Sequence, residues 1–430
     1  MSDPADGELL RHLAKAWGTR SGAEIRIADA PWDGTADIGL IRSAEMPRWA
    51  EAGQLREAPA ALKIAEDAYR WDDLLSIYPL RLLTWGERTY ALPVTGEGMV
   101  LVYRKNAFDG KDGRPGDPPA TWDELAGYAS REFRGQKYLP PLPAGSDRLL
   151  AEYFAAAASY DRPAVGRLGP NERPGPAFFA FQFDPEKGAP RLTAKAFERV
   201  ADLYRQMQPA RSTAADAATA FRTGEAKIGI LTLAELGQVG PDAASALGVA
   251  PLPGSRITFD ANGNEQPTGQ GSVNRVPYLG WGARVGVVST RCANPDAAWD
   301  FLADVGQPDR TALELIASPR WGSGPYRISQ LETKARARWF GYGLDANETE
   351  RLTSALRDNL GLGVQNYRLR LRTPNQHELA VALDAELRKA IQGQTPPTEA
   401  LKAANDRWAE INRGQPAWAN QARKSLGLGG

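Results

Sequence analysis

The sequence has few residues that support metal, redox or disulfide chemistry. One cysteine, Cys292, and two histidines, His12 and His377, occur among 430 residues. A single cysteine excludes a disulfide within the chain and a cysteine-rich zinc or iron–sulfur site. Two histidines are too few for a multi-histidine metal centre. We therefore predict a protein without a bound metal or cofactor.

The sequence also lacks an excess of charge and a long apolar run. Lys plus Arg and Asp plus Glu number 52 each, so the formal net charge is zero. Proteins dedicated to nucleic-acid binding carry a basic surface, so nucleic acid is not a predicted partner. No stretch approaches the roughly 18 to 20 apolar residues of a membrane-spanning helix. Hydrophobic residues at 42% and charged residues at 24% are typical of water-soluble globular proteins.

Aromatic residues, in contrast, are abundant. The chain has 12 Trp, 13 Tyr and 12 Phe, whose rings offer stacking surfaces and hydrogen bonds more than bond-breaking chemistry. A length of 430 residues favours two lobes over a single domain.

The order of predicted elements indicates an α/β protein with a helical C-terminal region. Strands and helices alternate in the first two thirds, and helices dominate the last third. Alternating apolar residues predict a strand over 23–27. Thr121 and Glu124 form the pattern of a capping box at a helix start. Asn294 followed by Pro295 predicts a second helix start.

Signatures of nucleotide binding are missing. The pair Gly280 and Gly282 is not followed by a glycine at the dinucleotide spacing, and the chain has no Gly-Lys-Ser/Thr phosphate loop. The two acids of a glycosidase can lie far apart in a chain, so the sequence leaves a carboxylate pair open, although no spacing points to one.

Five segments occur in the order found in one known family. They include the apolar runs around Gly-Glu-Gly, the segment Pro-Ala-Thr-Trp-Asp-Glu-Leu and the segment Asn-Pro-Asp-Ala-Ala-Trp. In this order the chain resembles the extracellular solute-binding proteins of ABC importers, and most of all the carbohydrate-binding branch similar to maltose-binding protein. The segments span 90–108, 119–125, 220–228, 248–254 and 294–302.

The resemblance implies a two-lobed, type II periplasmic-binding-protein-like fold. A ligand cleft lies between the lobes of such proteins, and a membrane permease reads the closure of the hinge. The resemblance places hinge segments near 109–119 and 269–277. It divides the chain into 1–110 and 271–325 for the first lobe, 111–270 for the second, and 326–430 for a helical region that packs mainly on the second.

Candidate ligand-binding residues follow from the same resemblance and from sugar chemistry. A sugar ring has an apolar C–H face and a rim of hydroxyl groups, so its site needs flat aromatic walls and a few polar groups. Any of the aromatic residues can instead fill the core. The candidates in cleft-facing loops are Trp32, Thr95, Glu97, Tyr278, Trp281, Trp321, Tyr326 and Arg327.

The start of the chain departs from the family pattern. Members open with a strand, whereas residues 1–7 contain no apolar run, signal peptide or lipid-attachment cysteine. Three explanations account for this departure. The chain is a processed or trimmed form, its start was chosen too late, or the protein stays in the cytoplasm.

The predicted function is capture of a carbohydrate and its delivery to the permease of an ABC transporter. We expect a monomeric binding protein without enzymatic activity in the periplasm or outside the cell. Two alternatives remain open at this point. One is a receptor of the same fold for a non-sugar solute, and the other is a glycan-active enzyme that uses paired carboxylates.

Overall fold

The computed structural model describes residues 4–28, 31–64, 68–108, 116–132, 137–162, 181–184, 187–269, 271–308, 318–319, 324–360, 368–414 and 417–426. The α-helices in these ranges are α1 Pro4–Ser21, α2 Met46–Glu51, α3 Trp122–Glu132, α4 Ser146–Tyr160, α5 Lys195–Met207, α6 Ala217–Thr223, α7 Leu233–Val239, α8 Pro241–Ala244, α9 Pro295–Gly306, α10 Ala346–Leu360, α11 Gln376–Ile391, α12 Pro397–Arg413 and α13 Trp418–Ser425. The strands are β1 Ile38–Arg42, β2 Thr84–Trp85, β3 Arg88–Thr89, β4 Ala91–Thr95, β5 Met99–Arg104, β6 Ile228–Thr232, β7 Leu247–Ala250, β8 Ile257–Phe259, β9 Glu265–Pro267, β10 Tyr278–Leu279, β11 Arg284–Val288 and β12 Arg368–Leu369. No helix in these ranges is both long and apolar enough to cross a bilayer.

The first sheet has the strand order β1-β11-β4, and both pairings are antiparallel. Helix α9 packs on it so closely that a Cβ at Gly286 would lie 2.3 Å from the Leu302 side chain, which is why glycine occupies the middle of β11. Helix α1 packs in turn on α9, where the indole N–H of Trp17 donates to Asp300 at 3.0 Å. This sheet with α1 and α9 is the first body.

The second sheet has the order β6-β5-β7, again antiparallel. Alternate residues of β5 contribute to two apolar clusters, with Val100 and Val102 in one and Leu101 and Tyr103 in the other, so helices cover both faces. The outer edge of β7 is covered by α10, because Glu348 accepts the backbone N–H of Val249 at 2.9 Å. An edge blocked in this way does not pair with another chain. This sheet and the helices on its faces are the second body.

The chain passes from the first sheet to the second at residues 96–98, between β4 and β5. This position differs from the expected crossover at 109–119, of which 109–115 lie outside the described residues. It also makes β5, which the division at residue 110 assigns to the first lobe, the central strand of the second sheet. Two apolar runs around a tight turn resemble a hairpin in sequence, and only the pairing reveals that they belong to different sheets.

The C-terminal helices α11 and α12 extend the apolar cluster on one face of the second sheet. Leu383 and Leu387 of α11 and Leu401 of α12 are fully or almost fully buried there. Helix α13 reaches back to helix α2, where Lys424 Nζ pairs with Glu51 Oε1 at 2.7 Å. The described architecture is therefore mixed α/β with a helical C-terminal region, as predicted.

Local predictions gave mixed results. The capping box is confirmed, since Thr121 Oγ1 accepts the backbone N–H of Glu124 at 3.1 Å and the Glu124 carboxylate accepts that of Thr121 at 3.2 Å. Asn294 caps α9 as predicted. The strand predicted over 23–27 is wrong, because this segment pairs with no strand of the described sheets. Its alternation reflects Ile25 and Ile27 packing against the core without a neighbouring strand.

Candidate ligand site

A small cavity lies where the start of α4, strand β10 and the beginning of α11 meet. Its volume of about 30 Å³ leaves room for about one or two water molecules. The lining residues are Asp147, Leu150, Ala151, Phe154, Gln182, Phe183, Tyr278, Trp281, Arg370, Leu371, Gln376, Leu379, Ala380 and Trp408. Aromatic rings and hydrogen-bonding side chains therefore face the same space.

Two of the sequence-predicted site residues, Tyr278 and Trp281, line this cavity. Tyr278 is buried, its ring lies 5.0 Å from that of Phe154, and its hydroxyl accepts a hydrogen bond from Gln182 at 2.9 Å. Burial raises the pKa of the Tyr278 hydroxyl above its usual range, so it stays protonated and can donate. Trp281 is half-buried, which leaves part of its ring accessible.

The polar side of the cavity is built around Asp147. Its Oδ1 accepts a hydrogen bond from Arg370 Nη2 at 2.8 Å, and its Oδ2 accepts one from Arg42 Nη1 at 2.8 Å. Arg370 Nε donates to Gln376 Oε1 at 2.8 Å, and Gln376 Nε2 donates to the carbonyl of Ala44 at 2.6 Å. A carboxylate, a guanidinium and an amide are thus held in one network beside the aromatic rings.

Sequence reasoning missed these polar residues. Asp147 resembles an ordinary acidic residue in the first turn of a helix, where it complements the helix dipole. The one available signal was the arginines at alternate positions 368, 370 and 372 of a short extended segment. Arg368 pairs with Asp161 in the interior, and Arg372 donates to buried carbonyls, so among them only Arg370 lines the cavity.

Glu97 acts on the site through the backbone of its aromatic loop. It is buried, and its carboxylate accepts the N–H groups of Gly280 at 2.5 Å, Trp281 at 3.0 Å and Gly282 at 2.7 Å. Burial raises the pKa of Glu97, and these backbone N–H groups oppose the rise. The carboxylate therefore positions Trp281. Thr95 is also buried, and its hydroxyl accepts the N–H of Arg284 at 3.3 Å.

The structure places Arg327 and Tyr326 in the interior of the protein, away from the cavity lining. Arg327 is 0% exposed and donates to the carbonyls of Tyr69 at 2.7 Å and Gly306 at 2.7 Å. It also lies 3.5 Å from Asp73. Tyr326 is likewise fully buried, and burial raises its pKa to about 12. Both residues join segments of the core in this arrangement.

Trp32 does not contribute to the described lining. Trp32 donates its indole N–H to the carbonyl of Ala36 at 3.0 Å, and its ring lies 4.8 Å from that of Trp49. Trp321 lies outside the described residues. Within those residues no group of three or more His, Cys, Asp or Glu side chains could hold a metal ion.

The sequence model of the bacterial extracellular solute-binding protein family matches residues 20–308, well over half of the chain. The chain belongs to this family. Solved structures similar to it include the sugar-binding protein MalE of Xanthomonas citri, with a TM-score of 0.70, 15% identity and 96% of each chain covered. Maltose-bound MalE3 of T. maritima has a TM-score of 0.65 and 16% identity, with 94% of this chain and 96% of that chain covered.

UgpB of Mycobacterium tuberculosis in complex with glycerophosphocholine is a further similar structure. Its TM-score is 0.66 at 16% identity, with 96% of this chain and 98% of that chain covered. At these identities the likeness concerns the fold. It confirms the two-lobed periplasmic-binding-protein fold that the sequence resemblance implied.

Proposed function

We propose that this family member captures a carbohydrate between its two bodies and delivers it to the permease of an ABC transporter. Proteins of this kind act in the periplasm or outside the cell, and we propose the same location here. The observation that carries the proposal is the set of aromatic and polar side chains at one cavity. Tyr278 and Trp281 stand beside the network of Asp147, Arg370 and Gln376.

This combination suits a sugar for a chemical reason. The C–H face of a sugar ring packs on an aromatic ring, and its hydroxyl groups both donate and accept hydrogen bonds. The Asp147 carboxylate accepts, the Arg370 guanidinium donates, and the Gln376 amide does both. A ligand that separates these groups can replace each of their mutual hydrogen bonds with one of its own, so that no buried polar group is left unpaired.

The same geometry favours binding over hydrolysis. A glycosidase needs two carboxyl groups that flank the scissile bond, one of them protonated. Asp147 is the one carboxylate in the described lining of the cavity, and both of its oxygens pair with arginines, Arg42 and Arg370. Glu97 directs its oxygens to backbone N–H groups of the 280–282 loop. We therefore propose a receptor without catalytic activity.

A non-sugar solute is the second candidate. Two guanidinium groups, Arg42 and Arg370, converge on Asp147, and arginine pairs also bind phosphate esters well. The structural similarity to UgpB with glycerophosphocholine is compatible with such a ligand.

Thermal unfolding with a ligand panel tests the proposal. The panel contains mono- and oligosaccharides, glycerophosphocholine and sugar phosphates. A ligand at 100 times its Kd adds about 2.7 kcal/mol to the free energy of unfolding, a shift of about 3 °C for a chain of this length. A selective shift with a sugar, without product formation, supports the proposal. A shift only with phosphate esters favours the second candidate, and turnover of a sugar contradicts the receptor.

A matched pair of variants then locates the site. W281A removes a half-buried indole that lines the cavity, whereas W32A removes a half-buried indole that packs on β1 at Gly39, outside the described lining. Titration calorimetry of the folded variants should show sugar affinity reduced about fivefold or more in W281A, because a stacked aromatic ring contributes about 1 kcal/mol. W32A should bind as the wild type does. Equal affinities in W281A and wild type would remove this cavity from the proposal.

A further inference from the structure

Three consecutive backbone N–H groups converge on the carboxylate of Glu97. Its Oε1 accepts the N–H of Gly280 at 2.5 Å. Its Oε2 accepts those of Trp281 at 3.0 Å and Gly282 at 2.7 Å. Gly280 has a φ of 88°, in the left-handed region that glycine adopts without strain. Successive N–H groups that point into one concavity form an anion-binding nest, and the anion in this nest is a side chain of the same molecule.

The contacts of this nest fit an ionised carboxylate. Both oxygens of Glu97 act as acceptors, whereas a protonated carboxyl group would turn one of them into a donor that faces other donors. Glu97 is 4% exposed, so water has little access to its oxygens. Hydrogen bonds to a charged acceptor are stronger than those to a neutral one. Glutamine has the same size but presents an NH₂ group in place of one oxygen, so the E97Q substitution separates charge from shape.

The nest connects segments that are far apart in the chain. Glu97 lies where the chain passes from the first sheet to the second, and the 280–282 loop leads from β10 into β11. The backbone around Gly324 packs on the same point, since a Cβ at Gly324 would lie 2.5 Å from the Glu97 nitrogen. The loop itself has little to hold it in place, because glycines flank Trp281 on both sides and supply no side chains. The orientation of Trp281 therefore depends on the contact with Glu97.

We propose that the negative charge of Glu97 organises the 280–282 loop, and that Glu97 is a positioning residue that presents Trp281 to the ligand. Glu97 acts through the backbone of the loop and not by touching the ligand. This inference deepens the proposed function and rests on it where ligand affinity is concerned. The order of the loop is a property of the protein alone, so it can be measured without a ligand.

Fluorine NMR of the full chain labelled with fluorotryptophan tests the role of the charge. The chain has 12 Trp, and the signal missing from W281F identifies Trp281. This signal should shift or broaden in E97Q and in E97A. Sodium acetate should return the E97A signal toward that of wild type, whereas acetamide at equal concentration and ionic strength should not, because only acetate supplies an anion to the nest.

The matched control is E348Q, which changes a buried glutamate that accepts the N–H of Val249 outside the described lining. Its Trp281 signal should equal that of wild type. A cooperative thermal melt selects the folded variants, and if E97A does not fold, E97Q decides alone. An unchanged Trp281 signal in E97Q, or equal effects of acetate and acetamide on E97A, would overturn the proposal.

A double-mutant cycle supplies a second, separable test. With a sugar found in the thermal panel, E97Q should weaken binding by no more than W281A does. The double variant should bind within about twofold of W281A, because residues that act as one unit do not have additive effects. Losses that add would overturn the proposal, since Glu97 would then act on the ligand independently of Trp281. If no sugar binds to wild type, the proposed function fails, and the NMR result alone still decides whether the charge of Glu97 organises the loop.

Discussion

The point at which the chain first passes from the first sheet to the second leaves no space for an added methyl group. Gly96 and Gly324 form an antiparallel bridge. The N···O distance is 2.9 Å from the Gly96 nitrogen to the Gly324 carbonyl and 3.3 Å in the reverse direction. A Cβ at Gly96 would lie 2.3 Å from the carbonyl oxygen of Pro325 and 2.4 Å from that of Gly324. Both neighbours are backbone atoms, so a rotamer change cannot relieve the clash. The G96A substitution must push the two segments apart.

The expected loss of stability follows from three contributions. Overpacking of a tight contact costs about 1 to 3 kcal/mol, and weakening two backbone hydrogen bonds costs about 0.5 to 1.5 kcal/mol each. Replacing glycine by alanine returns about 0.4 to 1 kcal/mol, because the unfolded chain loses freedom. The free energy of unfolding should fall by about 1 to 6 kcal/mol, which lowers Tm by about 1 to 6 °C for 430 residues.

The same substitution should weaken sugar binding. Gly96 precedes Glu97, whose carboxylate holds the backbone of the loop that carries Trp281, so a displaced backbone at residue 96 also displaces the aromatic wall. The matched control is G145A at the N-cap of α4, where a Cβ would meet nothing within 4 Å. Scanning calorimetry and ligand titration of both variants test the reasoning. A G96A protein that melts within 1 °C of wild type and binds the sugar equally well would refute it.

Four further substitutions test individual contacts. T121A should lower the free energy of unfolding by about 1 kcal/mol in urea titrations, because it removes the N-cap of α3. Burial raises the pKa of Glu124, but hydrogen bonds from Arg256 and the backbone outweigh burial and bring it below 4.5. The advantage of wild type over E124Q should therefore be present above pH 4.5 and disappear as the pH falls through the lowered pKa, and a constant difference would contradict this. R327M should cost about 3 to 5 kcal/mol in chemical denaturation, because buried carbonyls lose their donor, whereas sugar affinity of the folded variant should not change if Arg327 is outside the site. L383A should cost about 2 to 5 kcal/mol by leaving a cavity under α11, and a loss below 1 kcal/mol would show that the site collapses.

The family and the fold class could be predicted because they depend on local patterns. The capping residues Thr121 and Asn294 act on backbone groups three positions away, so their effect is visible in sequence. The order of family-like segments is also a property of the chain alone. The strand predicted over 23–27 shows the limit of local patterns, because alternation reports which side chains are buried and carries no information about a hydrogen-bonding partner.

The polar half of the candidate site could not be predicted in this way. Asp147 and Arg370 are 223 positions apart in the chain and 2.8 Å apart in the structure. Nothing in either local sequence distinguishes them from other charged residues at a helix start or in a loop. The fold also separates roles among the predicted residues, since Tyr278 and Trp281 line the cavity while Arg327 is enclosed by backbone carbonyls.

The sequence by itself determined the family, the mixed α/β class, the helix starts and the wealth of aromatic residues available for a ligand. The tertiary structure decided which sheet each strand joins, where the chain crosses between the bodies and which charged groups meet. The physical reason is the distance along the chain between the residues that interact. Helix caps and periodic burial arise from neighbours a few residues apart, whereas ion pairs, cavities and the burial of a guanidinium arise from segments that only folding brings together.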